Sequence, residues 1–193
     1  MMKNQKKLIS LLLVAMVAML SIVGCSNKKD DQGSQGGSSY ASAVEILETI
    51  WDNFPEENKF AAFGGGANNS VEDKPGSVDV TDTDTLTYNL LVPEALQSQI
   101  SDAASLIHML NANSFTCGSL KVTDADKATF IETLKTDILG ARFMCGFPER
   151  LVIISTGDYV VYAYGTADNI EAFENVASEK VEGVKVEVDQ LFE

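Results

Sequence analysis

Apolar and polar positions divide the chain into three unlike parts. Leu8 to Val23 is apolar apart from Ser10 and Ser21, while Ser26 to Ser39 contains only polar residues and glycine. From Tyr40 onward short apolar patterns alternate with turn signals. In that third part Val44, Leu47, Trp51 and Phe54 recur at helical spacing behind the capping-box sequence Ser42-Ala-Val-Glu45, and Pro55 stops the run. Lys59 to Phe63 predicts a short strand ended by Gly64-Gly65-Gly66, and the polar stretch from Ala67 to Thr85 predicts a long surface loop with one short strand at most. Pro93-Glu94 suits the start of a helix, and Ser101-Asp102 opens a second helical pattern carrying Leu106, Ile107 and Leu110.

Beyond Asn111 the rhythm is more regular. Ser114 to Val122 predicts a strand, and Thr123 caps a helix through Ala128, Ile131, Leu134 and Ile138 that ends at Gly140. Leu151 to Thr156 and Tyr159 to Tyr164 flank Gly157-Asp158, a two-residue hairpin turn of type II′. Asp168-Asn-Ile-Glu171 reads as a capping box before Ile170, Phe173 and Val176, and Val184 to Val188 alternates with Lys185 and Glu187 like a half-exposed strand. The order strand, helix, strand, strand, helix, strand over residues 114–188 predicts an α+β domain. Its antiparallel sheet would carry helices on one face, in a ferredoxin-like βαββαβ arrangement.

The first part changes the picture from fold to location. Lys3, Lys6 and Lys7 precede the apolar run with no acid among them, as in a secretory signal. The run is short for a membrane helix, which needs ~20 apolar residues. Ile22-Val23-Gly24-Cys25 resembles the lipobox of bacterial lipoproteins, which implies a signal peptide over residues 1–24 and a lipid on Cys25. An uncleaved N-terminal anchor is the alternative, and either leaves the domain outside the cytoplasm. Two acyl chains suffice for stable anchoring. The Gly/Ser-rich segment at residues 25–40 is then a flexible tether spanning on the order of 20 Å, and residues 41–193 form a single α+β domain.

The chain has 28 acidic and 14 basic residues, a formal net charge of −14. Losing the three N-terminal lysines would make it more acidic still. Nucleic acid is therefore no expected partner, since a polyanion is repelled.

Candidate chemistry is sparse. With Cys25 carrying lipid, Cys117 and Cys145 remain as an even pair in an exported domain, and a bond between them would stabilise by roughly 3–4 kcal/mol. Two buried thiols are the alternative; a redox centre is disfavoured because no Cys-x-x-Cys is present. His108 is the only histidine, with Ser105 three residues before it, and neither Gly-x-Ser-x-Gly nor His-Glu-x-x-His occurs. Asp79, Asp82 and Asp84 fail as an EF-hand, because Thr87 and Pro93 stand where glycine and glutamate belong. Gly64-Gly65-Gly66 lacks the remainder of a nucleotide fingerprint and reads as a mobile loop. No metal site and no cofactor are expected. Tyr159, Tyr162 and Tyr164 offer a binding surface if no helix covers them, and pack into the core otherwise.

The lipobox, the tether, Ala-Ser-Leu-Ile-His-Met-Leu-Asn-Ala-Asn-Ser-Phe-Thr-Cys-Gly at 104–118, Cys-Gly-Phe-Pro at 145–148 and the Gly157-Asp158-Tyr159-Val160-Val161 hairpin together resemble a family of small Gram-positive lipoproteins. Some of its members carry the label "bacteriocin transport accessory protein". The resemblance implies an extracytoplasmic, membrane-held accessory or binding protein, without active residues to carry over. A surface thiol-disulfide or hydrolytic enzyme and a small-ligand-capturing module are the alternative readings, the partner being a protein or a small ligand.

Overall fold

Local sequence decides most of the elements. The computed structural model describes residues 39–123, 126–144 and 146–193; the signal segment, Cys25, the tether up to residue 38 and Cys145 lie outside them. Helix α1 (Ala43–Asp52) starts where expected: Ser42 Oγ accepts from Glu45 N at 3.2 Å, and a Glu45 oxygen accepts from Ala41 N at 2.6 Å. It buries Ala43, Ile46, Leu47, Ile50 and Trp51. Strands β1 (Ala62–Gly64), β2 (Val71–Glu72) and β3 (Gly76–Val78) follow, then a wide turn at Thr85–Asn89 and the single-turn helix α2 (Glu94–Gln97). The rest is β4 (Ile100–His108), β5 (Phe115–Val122), α3 (Lys127–Gly140), β6 (Arg150–Thr156), β7 (Tyr159–Gly165), α4 (Ala167–Lys180) and β8 (Lys185–Leu191). Among the described residues no helix is long and apolar enough to cross a membrane.

All the strands join one antiparallel sheet in the order β2-β1-β4-β5-β7-β6-β8, with β3 also paired to β4. The expected α+β class, the antiparallel sheet and the element order from β5 to β8 are present. The finer ferredoxin-like arrangement with helices on one face is not. The last strand pairs with β6 at the far edge, while β4 occupies the place beside β5 that a ferredoxin-like fold gives to its last strand. Helix placement follows from this. Both β5-α3-β6 and β7-α4-β8 step two strands in the same direction along the sheet, but β5 and β7 run oppositely. Crossovers of one hand then put their helices on opposite faces.

Two cores result. One face packs Val152, Ile154, Val161 and Ala163 against α1 and α4; the other packs Leu151, Ile153, Val160 and Tyr162 against α3 and the residues between Leu86 and Leu96. Strand β4 explains the largest departure from expectation. Its Ala104 and Leu106 enter the first core and its Ala103 and Ile107 the second, so alternation runs from core to core rather than from core to water. A strand covered on both faces has no polar period, and its Ala/Leu content mimics a helix.

Caps also differ from expectation. Helix α3 is capped by Asp126, which accepts from Ala128 N at 3.1 Å, rather than by Thr123. Helix α4 begins two residues early, after Thr166, and its first amide donates to Glu149 across the chain at 2.7 Å. A carboxylate there also suits the helix dipole. The hairpin turn is as predicted, with Gly157 at φ 51°. At its far end Arg150 joins three elements, donating to Glu174 of α4 at 2.5 Å and to Asp189 of β8 at 2.7 Å.

Candidate functional site

The residues singled out by chemistry are dispersed. His108 stacks on Phe60 with ring centroids 4.7 Å apart, and its Nδ1 accepts from the amides of Leu110 and Asn111. It closes a turn. Ser105 Oγ accepts from Gly65 N at 2.8 Å and donates to Gly65 O at 3.1 Å, so it faces no base. Cys117 is a free thiol buried on the face of β5 that meets α1 and α4, where desolvation pushes its proton affinity far above the ordinary range. A thiol held protonated is a poor nucleophile. Cys145, its expected partner, lies outside the described residues. Of the described residues beside it in sequence, Met144 shares a cleft with Tyr164, and Gly146 O accepts from Asn113 Nδ2 at 3.0 Å.

The acidic loop is built from turns. Asp79 accepts from Thr81 and Asp82 from Thr85, and these hydrogen bonds hold both carboxyls below their usual range. Among the described residues no three His, Cys, Asp or Glu side chains gather as a metal site would require. The triple glycine is packed rather than mobile: Gly64 lies against Gly76 and Gly65 against Asn69, with Gly65 at φ 89°.

The three hairpin tyrosines do not form a surface. Tyr159 enters the α1/α4 core, whereas Tyr162 and Tyr164 enter the other, and none is more than 3% exposed. Both faces of β7 are covered, which the expectation of a one-sided helix layer missed. Tyr162 Oη donates to Leu90 O at 2.6 Å in the interior. Its ring fills the space that a side chain at position 118 would need, since a Cβ there would lie 2.6 Å from it. Gly118→Ala is expected to cost ~1–3 kcal/mol by overpacking and to free the Leu90 carbonyl. Hydrogen exchange through residues 88–92 would register the release; unchanged protection there would count against it.

Burial, reinforced by the Asp102 charge, pushes Tyr159 up to about 12, and burial does the same for Tyr164. At the acid end Arg150 lowers Asp189, and Lys185 together with Ser155 lowers Glu187. Raised tyrosines favour the fold fully below their ordinary value of 10.0, and that contribution is lost as pH climbs toward about 12. Lowered carboxylates favour it above their ordinary values of 3.8 and 4.5, and their contribution is lost below them. A denaturation midpoint followed against pH should therefore be flat between these limits and fall outside them. A decline that begins near neutrality would contradict this assignment.

Two concave sites stand out among the described residues: an open, acidic one lined by Pro55, Asn58, Asp168 and Glu171, and a more enclosed one at the end of the sheet where β4 stops and β5 starts. The latter is a cleft of about 280 Å³. Its floor is Phe63 of β1, Ile107 of β4 and Tyr164 of β7, all on the α3 face. One wall is Tyr88, Asn89 and Leu91 from the turn after β3; another is the segment Ala141–Met144 that leaves α3, with Phe143 5.8 Å from Tyr164. The β4–β5 connection adds Ala112 and Asn113. Leu91 adopts φ 53°, a left-handed conformation that is costly for a branched apolar side chain, and the Tyr162–Leu90 bond holds its neighbour. Two large apolar side chains stand at its mouth: Tyr88 is 75% and Met144 93% exposed. Phe147 and Leu110, on the turns joined by the Asn113–Gly146 bond, are 78% and 86% exposed.

Of these lining residues Phe63 and Ile107 were named in the sequence only as parts of predicted elements, and Tyr164 alone as a candidate binding residue. The signal that could have found them is large apolar side chains placed in turns, such as Leu110 before Asn111 and Met144 before Cys145-Gly146. Comparison with protein families, with curated proteins and with solved structures finds no match to this chain.

Proposed function

We propose that the protein is a lipid-anchored, extracytoplasmic binding protein that engages its ligand or partner through the cleft between β1, β4 and the segment after α3. The lipobox at Ile22–Cys25, the tether and the acidic composition support the location. One observation carries the binding role: large apolar side chains stand open to water around a preformed cleft of mixed polar and apolar lining, where a monomeric surface would ordinarily hide them. Ser105 and His108 make their hydrogen bonds to backbone groups, and Cys117 is buried and protonated, so none of the three supplies an activated nucleophile or base at the cleft.

The direct test is photocrosslinking in intact cells with a photoreactive amino acid at position 88 or 144, against a control at exposed Glu132. Adducts confined to the two cleft positions support the reading. Equal capture at all three positions, or none at any, overturns it. Labelling with radioactive palmitate, lost in Cys25→Ala, tests the anchor separately.

A further inference from the structure

The lining of the cleft has a charge pattern unlike the rest of the chain. Although the protein has 28 acidic residues, none of the described ones lines the cleft, and among the described residues the one ionic side chain that does is Arg142. The sequence contains only two arginines. Arg150 is neutralised by Glu174 and Asp189, whereas Arg142 has no ion pair among the described residues. What sets Arg142 apart from the other unpaired cations is its place in a cleft with aromatic lining, where its guanidinium can meet an anion. Distant acids repel an anion weakly, because charges separated by more than ~8 Å are largely screened at physiological salt.

The other lining groups define what must accompany that anion. Phe63, Leu91, Ile107, Phe143 and Tyr164 present apolar or aromatic surface, with Asn89 and Asn113 as neutral polar groups. At about 280 Å³ the cleft lies just below the ~300–1,000 Å³ typical of small-molecule sites, which limits it to a small ligand. A planar guanidinium matches a carboxylate with two parallel hydrogen bonds, a geometry that lysine does not offer. The strained Leu91 backbone, on the wall formed with Tyr88 and Asn89, is the kind of outlier that persists where the surroundings hold a site in shape.

We propose that the cleft binds a monocarboxylate joined to a small apolar or aromatic body, with Arg142 taking the carboxylate and the Phe143–Tyr164 side taking the body. This rests on the binding role proposed above and specifies its ligand class. The chemistry could be supplied by a free acid or by the C-terminal residue of a peptide.

The test is calorimetric titration of the full chain in lipid nanodiscs, with empty nanodiscs as the blank. The probes are 4-phenylbutyrate, its primary amide, and the dipeptide N-acetyl-alanyl-phenylalanine with a free C-terminus. Charge-assisted pairing predicts that the carboxylate binds about tenfold or more tighter than the amide. Arg142→Ala should erase that difference, Arg142→Lys should restore part of it, and Leu91→Asp should weaken all three probes. Tighter binding of the dipeptide assigns the peptide source, and tighter binding of phenylbutyrate the free acid. Equal affinity for acid and amide, or an Arg142→Ala chain that still discriminates between them, overturns the carboxylate assignment. No binding of any probe does so too. Crosslinking from positions 88 and 144 would still stand in those cases, so failure of the ligand class is distinguishable from failure of the binding role. Arg142 is exposed, so its variants are expected to fold, and an unchanged thermal midpoint verifies this.

Discussion

Phe115→Ala is expected to lower the free energy of unfolding by about 3–5 kcal/mol, the cost of removing a fully enclosed aromatic ring. Phe115 is 1% exposed at the first position of β5. Its ring lies 6.0 Å from Phe54 beyond α1, 5.1 Å from Phe60 before β1 and 6.3 Å from Phe173 of α4. Three segments far apart in sequence thus meet on one side chain. The resulting void has rigid aromatic walls, so little collapse is available to offset the loss. Urea denaturation would measure the change, with Phe115→Leu as the milder comparison. A loss near 1 kcal/mol would mean that the surrounding rings close the space.

Gly64→Ala is the second large effect. An added Cβ would lie 2.2 Å from Gly76 N and 2.6 Å from both Lys74 O and Pro75 C. All three are main-chain atoms, so no rotamer change relieves the collision, and β1 and β3 must separate. Overpacking of side chains costs ~1–3 kcal/mol. Here backbone meets backbone, so the upper end of that range or more is expected. The damage should be local. Hydrogen exchange ought to lose protection at Gly76–Val78, which pair with Ala103–Ser105, while the β5–β7 pairing is retained. Full protection at β3 in the variant would refute the close approach.

These two residues also mark what could be read beforehand. Phe115 stood in a predicted strand, because Ser114 to Val122 is bounded by turn signals and rich in strand formers. Helix α1 and the β6–β7 hairpin were legible for similar reasons: a cap that chemistry dictates, and a turn that only glycine enters easily. Gly64 was legible as a glycine but not as a contact, since its partner at position 76 is brought up by pairing with β4. The same blindness produced the helical reading of β4. The unbroken apolar runs Leu151–Ile154 and Tyr159–Tyr164 did contain the evidence that helices cover both faces, because a one-sided sheet would interleave polar residues. The cleft was illegible for a different reason. Its walls come from three turns with no shared motif, and only the closing of the sheet places Arg142 beside Tyr164 and Leu91.

The entry of the chain into the domain has a practical consequence. Tyr40 Oη accepts from Glu182 N at 2.9 Å, and Ala43 N donates to Asp102 at the start of β4, so the chain joins the domain at the end of the sheet where β4 begins and β5 stops. The cleft opens at the other end, a strand length of roughly 25 Å away at ~3.3 Å per residue. An affinity handle or solid support attached through the residues before Tyr40 is joined at the end remote from the cleft, whereas one attached after Leu191, beside Arg150, would crowd the end where the cleft opens. Binding experiments should therefore be immobilised from the N-terminal side.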